Sequence, residues 1–504
     1  MSIIDNEKTI PRILIAAPKS GSGKTLFTCG LLKLLKDEGN SPVAFKCGPD
    51  YIDPLFHKRV LGIESYNLDS FFMNATQLNK NLLRAEGAIA VIEGVMGIYD
   101  GLGVDSVKGS CYEIASLTNT PILLIVDAHG AGRSIISVIK GILTDDDKKL
   151  IRGVVLNRIS AGFYAKLSPV LKDEIEQAFP YVSILGGIPN DPALKIGSRH
   201  LGLDISAPNP QVISGIERMA ELIKQYVDRE SFLKDSVQNT KLFSHSDGTL
   251  PACGEPASDI KERLQPDADE QPQHDACEQL HPAEKEHPQP VLAVAWDEAF
   301  CFYYRDNLDM FEQQGITIKY FSPIHDKALP KDSCGILLGG GYPELYLKEL
   351  SGNVSMLTSI RNAVNDGMPS LAECGGFMYL HKSVSDIEGN DHKLVGVIDG
   401  ECRYTGKSVR FGYMEIAEAE DDSPDIAKLL KGMKGHEFHY YESSANKGYC
   451  TAQKPDGSKK WNCMCGGAVS LWGFPHFYYP SAPECIRYFV TKMTEYYGQK
   501  GKDD

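Results

Sequence analysis

Short, continuously apolar runs recur through the first part of the chain: RILIAA from Arg12, PVAFKCG from Pro42, AIAVIEG from Ala88, PILLIVDA from Pro121 and IRGVVLNR from Ile151. A strand that is apolar at successive positions, rather than at alternate ones, is buried on both faces. Helix-like segments separate these runs, so residues 10–227 are expected to form a parallel sheet between helical layers.

The pattern then changes. From about residue 235 to 290 the chain is rich in Pro, Glu, Asp, Gln and His, as in SDIKERLQPDADEQPQHDACEQLHPAEKEHPQP, with few large apolar residues. Such a stretch buries too little to offset the entropy lost on ordering, so 228–289 is expected to be a flexible acidic linker. Its histidines lack regular ligand spacing and do not suggest a metal site. A second α/β unit is expected over 290–497, with strands at VLAVAW (Val291), GILLGGG (Gly335) and SLAECG (Ser370) and a more β-rich region after Leu394. No internal repeat is evident.

Composition narrows the class. A chain of 504 residues is long enough for two or three domains, and 42% hydrophobic with 24% charged residues is ordinary for a soluble globular protein. A net charge of -15 argues against nucleic acid as a partner, because backbone binding needs clustered Lys and Arg. No run approaches the roughly 20 apolar residues of a membrane span, and MSIIDNEKTI lacks the regions of a signal peptide. A cytoplasmic protein without a membrane partner is expected. Its thirteen cysteines are scattered without a CxxC pair and are expected to be reduced thiols, one of them reactive.

PKSGSGKT, from Pro18, follows an apolar strand and leads into LFTCGLLKLL. Strand, Gly-rich turn and helix are the context of a phosphate loop. Ser20, Gly21, Ser22 and Gly23 would offer backbone N–H groups, Lys24 would neutralise phosphate, and the Thr25 hydroxyl could ligate magnesium. Pro18 stands where the common pattern begins with Gly. Lys19 occupies the place of the extra lysine of partition and septum-site ATPases, so a dimeric nucleotide switch is a rival reading.

Carboxylates follow the next strands. KCGPDYIDP carries Asp50 and Asp53, and VIEGVMGIYDG carries Glu93 and Asp100. Acids at the C-terminal ends of parallel strands converge on the crevice where ligands bind, and magnesium prefers such hard oxygens.

In the second unit LAECGGFMYL places Cys374 between an apolar strand and a helix, with Gly375 and Gly376 permitting a tight turn. This is the thiol counterpart of a nucleophile elbow, with the side chain exposed. The Gly339-Gly340-Gly341 run could bring N–H groups to a tetrahedral intermediate, so Gly340, Gly341 and Gly375 are oxyanion candidates. VSLWGFPHFYYPSAPE supplies His476 as the base. A protonated imidazole beside Cys374 would lower the thiol pKa.

Together KCGPDYIDP, EGVMGIYDG, VDAHGAGRS, VVLNR, SRHLGL and KGHEFHYYES resemble the cobyrinic acid a,c-diamide synthase family. Its N-terminal domain is similar to dethiobiotin synthetase, and its C-terminal domain is a class I glutamine amidotransferase. The resemblance implies that Thr25, Asp50 and Glu93 serve magnesium or phosphate, that Asn157 reads adenine, and that Asp53 and Asp100 lie towards the substrate carboxylates. It also implies that His476 aligns with the first, catalytic histidine of a SYxHxHF-like pattern, Tyr478 standing in place of the second; the other register aligns His476 with the second. His436, Glu437 and His439 of GHEFHY are expected to be structural or substrate-facing.

The implied reaction is ATP-dependent amidation of the a and c carboxylates of cobyrinic acid, with L-glutamine or ammonia as nitrogen donor and ATP and magnesium as cofactors. Nickel-sirohydrochlorin or hydrogenobyrinic acid are alternative tetrapyrrole polycarboxylates. A tetrapyrrole-binding regulator with a dead amidotransferase domain is a further rival, opposed by intact Cys374 and His476. Homodimerisation is left open.

Overall fold

Every position of the strand Arg12–Ala16 (β1) is buried, Ile13 to Ala16 by their apolar run and Arg12 with its guanidinium donating to the Thr118 carbonyl. The computed structural model describes residues 8–194, 209–231, 233, 241–242, 289–445 and 448–503. In the first unit β1 is joined by Pro42–Cys47 (β2), Ser65–Leu68 (β3), Ile89–Glu93 (β4), Ile122–Asp127 (β5), Ile151–Asn157 (β6) and Ser183–Gly187 (β7). Their order across the sheet is β3-β2-β4-β1-β5-β6-β7, and all six pairings are parallel.

Hydrophobic clusters cover both faces of this sheet, one including Leu14, Phe45 and Ile92 and the other Ile13, Ile15 and Val91. Alternate residues of a strand thus enter opposite cores. Because β2, β4 and β1 are adjacent, the turns leaving their C-terminal ends meet at one edge. Lys46 of β2 and Ile15 of β1 both pair in register with Glu93 of β4. Helices Lys24–Asp37 (α1) and Ile52–Leu61 (α2) begin at that edge.

The second unit has a six-stranded sheet containing Val291–Ala295 (β8), Thr317–Phe321 (β9), Ser333–Leu338 (β10) and Ser370–Glu373 (β11), followed by Ser470–Gly473 (β14) and the edge strand Cys465–Gly467. Beside it stands a five-stranded antiparallel sheet built on Arg410–Ala419 (β12) and Lys434–His439 (β13), with His476–Phe477 (β15) at one edge. This second sheet is the β-rich region expected after Leu394.

The units meet along an aromatic seam. Phe71 and Phe72, after β3, pack on Tyr413 and Tyr478, with Phe72 stacked on Tyr478 at 5.2 Å. Burying one such ring stabilises by about 2 kcal/mol. Polar ties flank it: the Tyr413 hydroxyl donates to Asp69 (2.7 Å), Lys434 Nζ donates to the Phe71 carbonyl (2.7 Å), and Asp306 accepts from Arg84 (2.8 Å), Asn81 (2.9 Å) and Tyr478 (3.0 Å).

The expected linker, 228–289, falls almost wholly outside the described residues, as do SRHLGL and the linker histidines. Residues 228 and 229 belong to the first unit: the Asp228 N–H donates to the Leu185 carbonyl, and Arg229 pairs with Glu38. Among the described residues no helix is long and apolar enough to cross a membrane, and no cysteine forms a disulfide.

Candidate functional site

The turn between β1 and α1 has the backbone of a phosphate cradle. Gly21 and Gly23 take φ of 76° and 94°, a region costly for any residue with a Cβ. Gly23 caps α1 without a side-chain acceptor, so the first N–H groups of the helix remain available to an anion. A Cβ at Gly23 would also lie 2.4 Å from Asn157 Nδ2.

Asn157, at the end of β6, donates through Nδ2 to the Ser22 carbonyl at 2.9 Å, while its Oδ1 is buried without a hydrogen-bond partner. The expected adenine-reading amide therefore braces the phosphate loop. Its acceptor oxygen and the second proton of Nδ2 remain to meet a base. Arg158 holds the same loop through the Gly21 carbonyl at 2.8 Å. Lys24 Nζ spans the turn, donating to the Met96 carbonyl at 2.5 Å and the Lys19 carbonyl at 3.4 Å.

A buried ionic cluster lies behind the loop. Thr25 Oγ1 donates to Glu93 Oε1 at 2.6 Å, and Lys46 Nζ lies 2.8 Å from the same oxygen and 2.5 Å from Asp53 Oδ2. Burial alone would neutralise Lys46, but Glu93 and Asp53 outweigh it and hold the ammonium charged. Burial likewise opposes ionisation of Glu93, yet Lys46 and His57 hold it well below the usual carboxylate range. Asp53 receives less of the shared cation: burial and the Glu93 charge push it up to about 7.

Lys46 is absent from the sequence-derived site, although a lysine at the end of an apolar strand signals a buried acidic partner. Asp50 is in the expected turn, with Oδ1 accepting the N–H groups of Ile52 and Asp53 at the start of α2. Asp100 is exposed beside the loop, its Oδ2 accepting the Gly97 N–H at 2.8 Å. Among the described residues no three His, Cys, Asp or Glu side chains converge on a metal-sized site. The Thr25–Glu93 oxygen pair fits magnesium, which is usually held by one or two side chains with phosphates and water supplying the rest.

In the second unit Cys374 has φ 47° and ψ -101°, a strained conformation for a residue with a side chain. It ends β11 and precedes the short helix Gly375–Leu380, as a nucleophile elbow does. Its N–H donates to Gly473 at the end of the adjacent β14 (2.8 Å), and Gly376 donates to Gly339 (2.9 Å).

The glycines are sterically required. A Cβ at Gly340 would lie 2.2 Å from His476 Cε1, and one at Gly375 would lie 2.9 Å from Pro343 and 3.3 Å from the Gly341 nitrogen. Cys374, its helix and His476 therefore flank one Gly339–Gly341 turn. Donors and a nucleophile in that arrangement suit acyl transfer.

Two expectations for this site are corrected. Cys374 is not on an open surface but only 8% exposed. Nor does a protonated imidazole depress its pKa: burial, then Glu344, Glu437 and Glu373, push the thiol up. Burial and the neighbouring His436 and His439 push His476 well below the usual imidazole range. The resting pair is thiol and neutral imidazole, and His476 Nδ1 is buried without a hydrogen-bond partner.

His436 stacks on His476 at 4.9 Å, and Nδ1 of His436 lies 3.3 Å from the Tyr304 hydroxyl. His439 instead pairs with Glu437 at 3.1 Å. The motif thus splits between positioning the His476 ring and satisfying a buried carboxylate. Sequence reasoning missed Tyr51, whose buried ring meets those of His476 at 5.4 Å, His436 at 5.6 Å and Tyr304 at 4.6 Å, and stacks on Phe302 at 5.1 Å. Asp50 and Asp53 lie either side of it in sequence. Tyr51 thus links the turn that carries Asp50 and Asp53 to the His476 ring.

Comparisons with known proteins agree with both halves. Residues 13–203 match the CobQ/CobB/MinD/ParA nucleotide binding domain, and residues 291–471 match the CobB/CobQ-like glutamine amidotransferase domain. The chain is 34% identical to a cobyrinate a,c-diamide synthase of Caldanaerobacter subterraneus over 96% of this chain and 98% of the relative. It is 34% identical to one of Listeria monocytogenes over 93% and 96%, and 30% identical to one of Dehalococcoides mccartyi over 97% and 99%. With a phosphate loop and a thiol elbow in one continuous architecture and similarity over nearly its full length, the chain belongs to the cobyrinate a,c-diamide synthase family.

Proposed function

We propose that this protein amidates the a and c side-chain carboxylates of cobyrinic acid, using ATP and glutamine, in cobalamin biosynthesis. One observation carries the reading: Tyr51, seated between Asp50 and Asp53 of the phosphate-loop unit, touches the imidazole of the amidotransferase unit. The activation and nitrogen-releasing sites are back to back. Residues 10–227 act as the ligase and 290–497 as the glutaminase, within the cytoplasm.

In the glutaminase, His476 takes the Cys374 proton as the sulfur adds to the glutamine amide carbon. N–H groups of Gly340, Gly341 and Gly375 stabilise the oxyanion. Collapse expels ammonia with the proton returned by His476, and water releases glutamate from the thioester. Since the resting thiol is held neutral, bound glutamine accompanies this proton transfer.

In the ligase, a substrate carboxylate oxygen attacks the γ-phosphorus of ATP and ADP departs, leaving an acyl phosphate. Ammonia adds to its carbonyl carbon and inorganic phosphate leaves. The helix N-terminus and Lys24 hold the phosphates, while Asn157 braces the loop and offers Oδ1 to the base. Magnesium, held by Thr25, Glu93 and Asp50, would neutralise developing phosphate charge. Asp53 and Asp100 orient the acceptor.

The test is incubation with ATP, magnesium and glutamine and, separately, cobyrinic acid, hydrogenobyrinic acid or nickel-sirohydrochlorin, with products identified by mass. A diamide of cobyrinic acid is expected. Failure to amidate it, with nucleotide binding intact, would overturn the assignment.

A further inference from the structure

Helix α2 carries a second polar residue on the face that holds Asp53. His57 lies one helical turn further on, so the two side chains meet the sheet side by side. Beneath them Lys46 of β2 and Glu93 of β4 are cross-strand partners. The four groups form two pairs: Asp53 Oδ2 meets Lys46 Nζ at 2.5 Å, and His57 Nε2 faces Glu93 Oε2 at 3.6 Å. An acid on the helix thus covers a cation on the sheet, and an imidazole covers an acid.

The second pair is unfinished. Glu93 Oε1 accepts from Thr25 Oγ1 at 2.6 Å and from Lys46 Nζ at 2.8 Å, whereas Oε2 has no hydrogen-bond partner among the described residues. His57 Nε2 is likewise without one, and both side chains are wholly buried. A buried polar atom left bare carries a free-energy penalty, and here two such atoms of opposite character face each other. Their 3.6 Å separation compares with about 2.9 Å for an ordinary N–H···O bond, so a small shift of either side chain completes it.

The surroundings also place the ring proton. His57 Nδ1 lies 3.1 Å from Ser65 Oγ at the start of β3. A hydroxyl can donate or accept, but an ionised carboxylate oxygen only accepts. In every favourable arrangement, therefore, Nε2 carries a proton aimed at Oε2.

We infer that His57 is a positioning residue for the ligase: its Nε2–H closes on Glu93 Oε2 when nucleotide and metal bind, and fixes the plane of the carboxylate that with Thr25 would hold magnesium. This rests on the proposed function, in which Thr25 and Glu93 serve the metal. A carboxylate held through one oxygen can still turn about its Cγ–Cδ bond. Outer partners that prevent such turning change metal affinity or activity roughly 10- to 100-fold.

The test titrates magnesium into wild type, His57→Leu, His57→Gln and His57→Asn in the presence of a fluorescent ATP analogue, and follows nucleotide binding rather than turnover. The Gln amide nitrogen can reach the place of Nε2, whereas Asn reaches only that of Nδ1. His57→Leu and His57→Asn should raise the magnesium concentration for half-maximal binding about ten-fold or more, while His57→Gln stays within about three-fold of wild type. Nucleotide binding without magnesium should be unchanged. Ammonium-supported amidation should follow the same order in kcat, with KM for the acceptor and the basal glutaminase rate unchanged. A packing role alone would lower the melting temperature and leave the magnesium midpoint where it was. A wild-type midpoint in folded His57→Leu and His57→Asn, or His57→Gln no better than His57→Asn, would overturn the positioning role. If His57→Leu does not fold, the comparison of Gln with Asn decides. Wild-type nucleotide binding that ignores magnesium would remove the metal reading and this inference together. Failure to amidate cobyrinic acid, with the predicted magnesium shifts present, would remove the acceptor assignment alone.

Discussion

The ring of Tyr51, from the phosphate-loop unit, lies 5.4 Å from the ring of His476 in the amidotransferase unit, tilted by 41°. The His476 imidazole is thus bounded by His436 from its own unit and by a side chain from the neighbouring one. Tyr51 also precedes α2, whose first turn contains Asp53.

Movement of the acidic turn when substrates bind would reach His476 through Tyr51. Tyr51→Ala should therefore uncouple the reactions, with more than one glutamate formed per amide and loss of any glutaminase stimulation by ATP plus acceptor. Tyr51→Phe should restore coupling. Ammonium-supported amidation reports that the variant is folded, and a glutamate-to-amide ratio equal to wild type would contradict this role.

Cys374→Ala should abolish glutamine-supported amidation and leave the ammonium-supported rate within about three-fold, because the ligase does not use the thiol. In the ligand-free wild type, burial and nearby carboxylates hold the thiol protonated. Alkylation by iodoacetamide should accordingly be slow at neutral pH, with a rate that rises steadily up to pH 9 and reaches no plateau. A fast phase titrating near neutrality would show a preformed thiolate.

Lys46→Met should remove the only cation within ion-pair distance of both Asp53 and Glu93 among the described residues. Leaving a buried charge unpaired costs about 3 kcal/mol or more. Both glutamine- and ammonium-supported amidation should fall about 100-fold or more, with glutaminase activity retained. Thermal unfolding and the two nitrogen-donor assays distinguish loss of folding from loss of phosphoryl transfer.

Glu373, beside Cys374, is only 6% exposed, and burial raises its carboxyl from 4.5 to about 8. Between those values the folded protein binds more protons at this site than the unfolded chain. Its contribution therefore makes stability fall as pH rises through that window, by at most about 5 kcal/mol, and level off above it. Glu373→Gln should flatten the decline in melting temperature between pH 5 and pH 8. An unchanged slope would show that the carboxyl ionises normally in the fold.

The backbone of both candidate centres was legible because each depends on a short local pattern. Glycines at Gly21 and Gly23 mark the phosphate turn, and Cys374-Gly375-Gly376 after an apolar strand marks the elbow. What lay outside that reading depends on contacts distant in sequence. Lys46 had an apolar strand to suggest burial, but its acids come from separate turns; Tyr51 meets Phe302, Tyr304 and His476 only after two sheets assemble. The protonation of Cys374 was misjudged because burial and Glu344, Glu437 and Glu373 set it, and no spacing along the chain records that environment.

Asp306 accepts from Arg84 and Asn81 on one side of the seam and from Tyr478 on the other, beside the stacked rings of Phe72 and Tyr478. A covalent tether is therefore not needed to hold the halves in register. If the polypeptide were divided between residues 243 and 288, the separately made fragments would carry complementary sticky surfaces and reassemble into a two-piece enzyme.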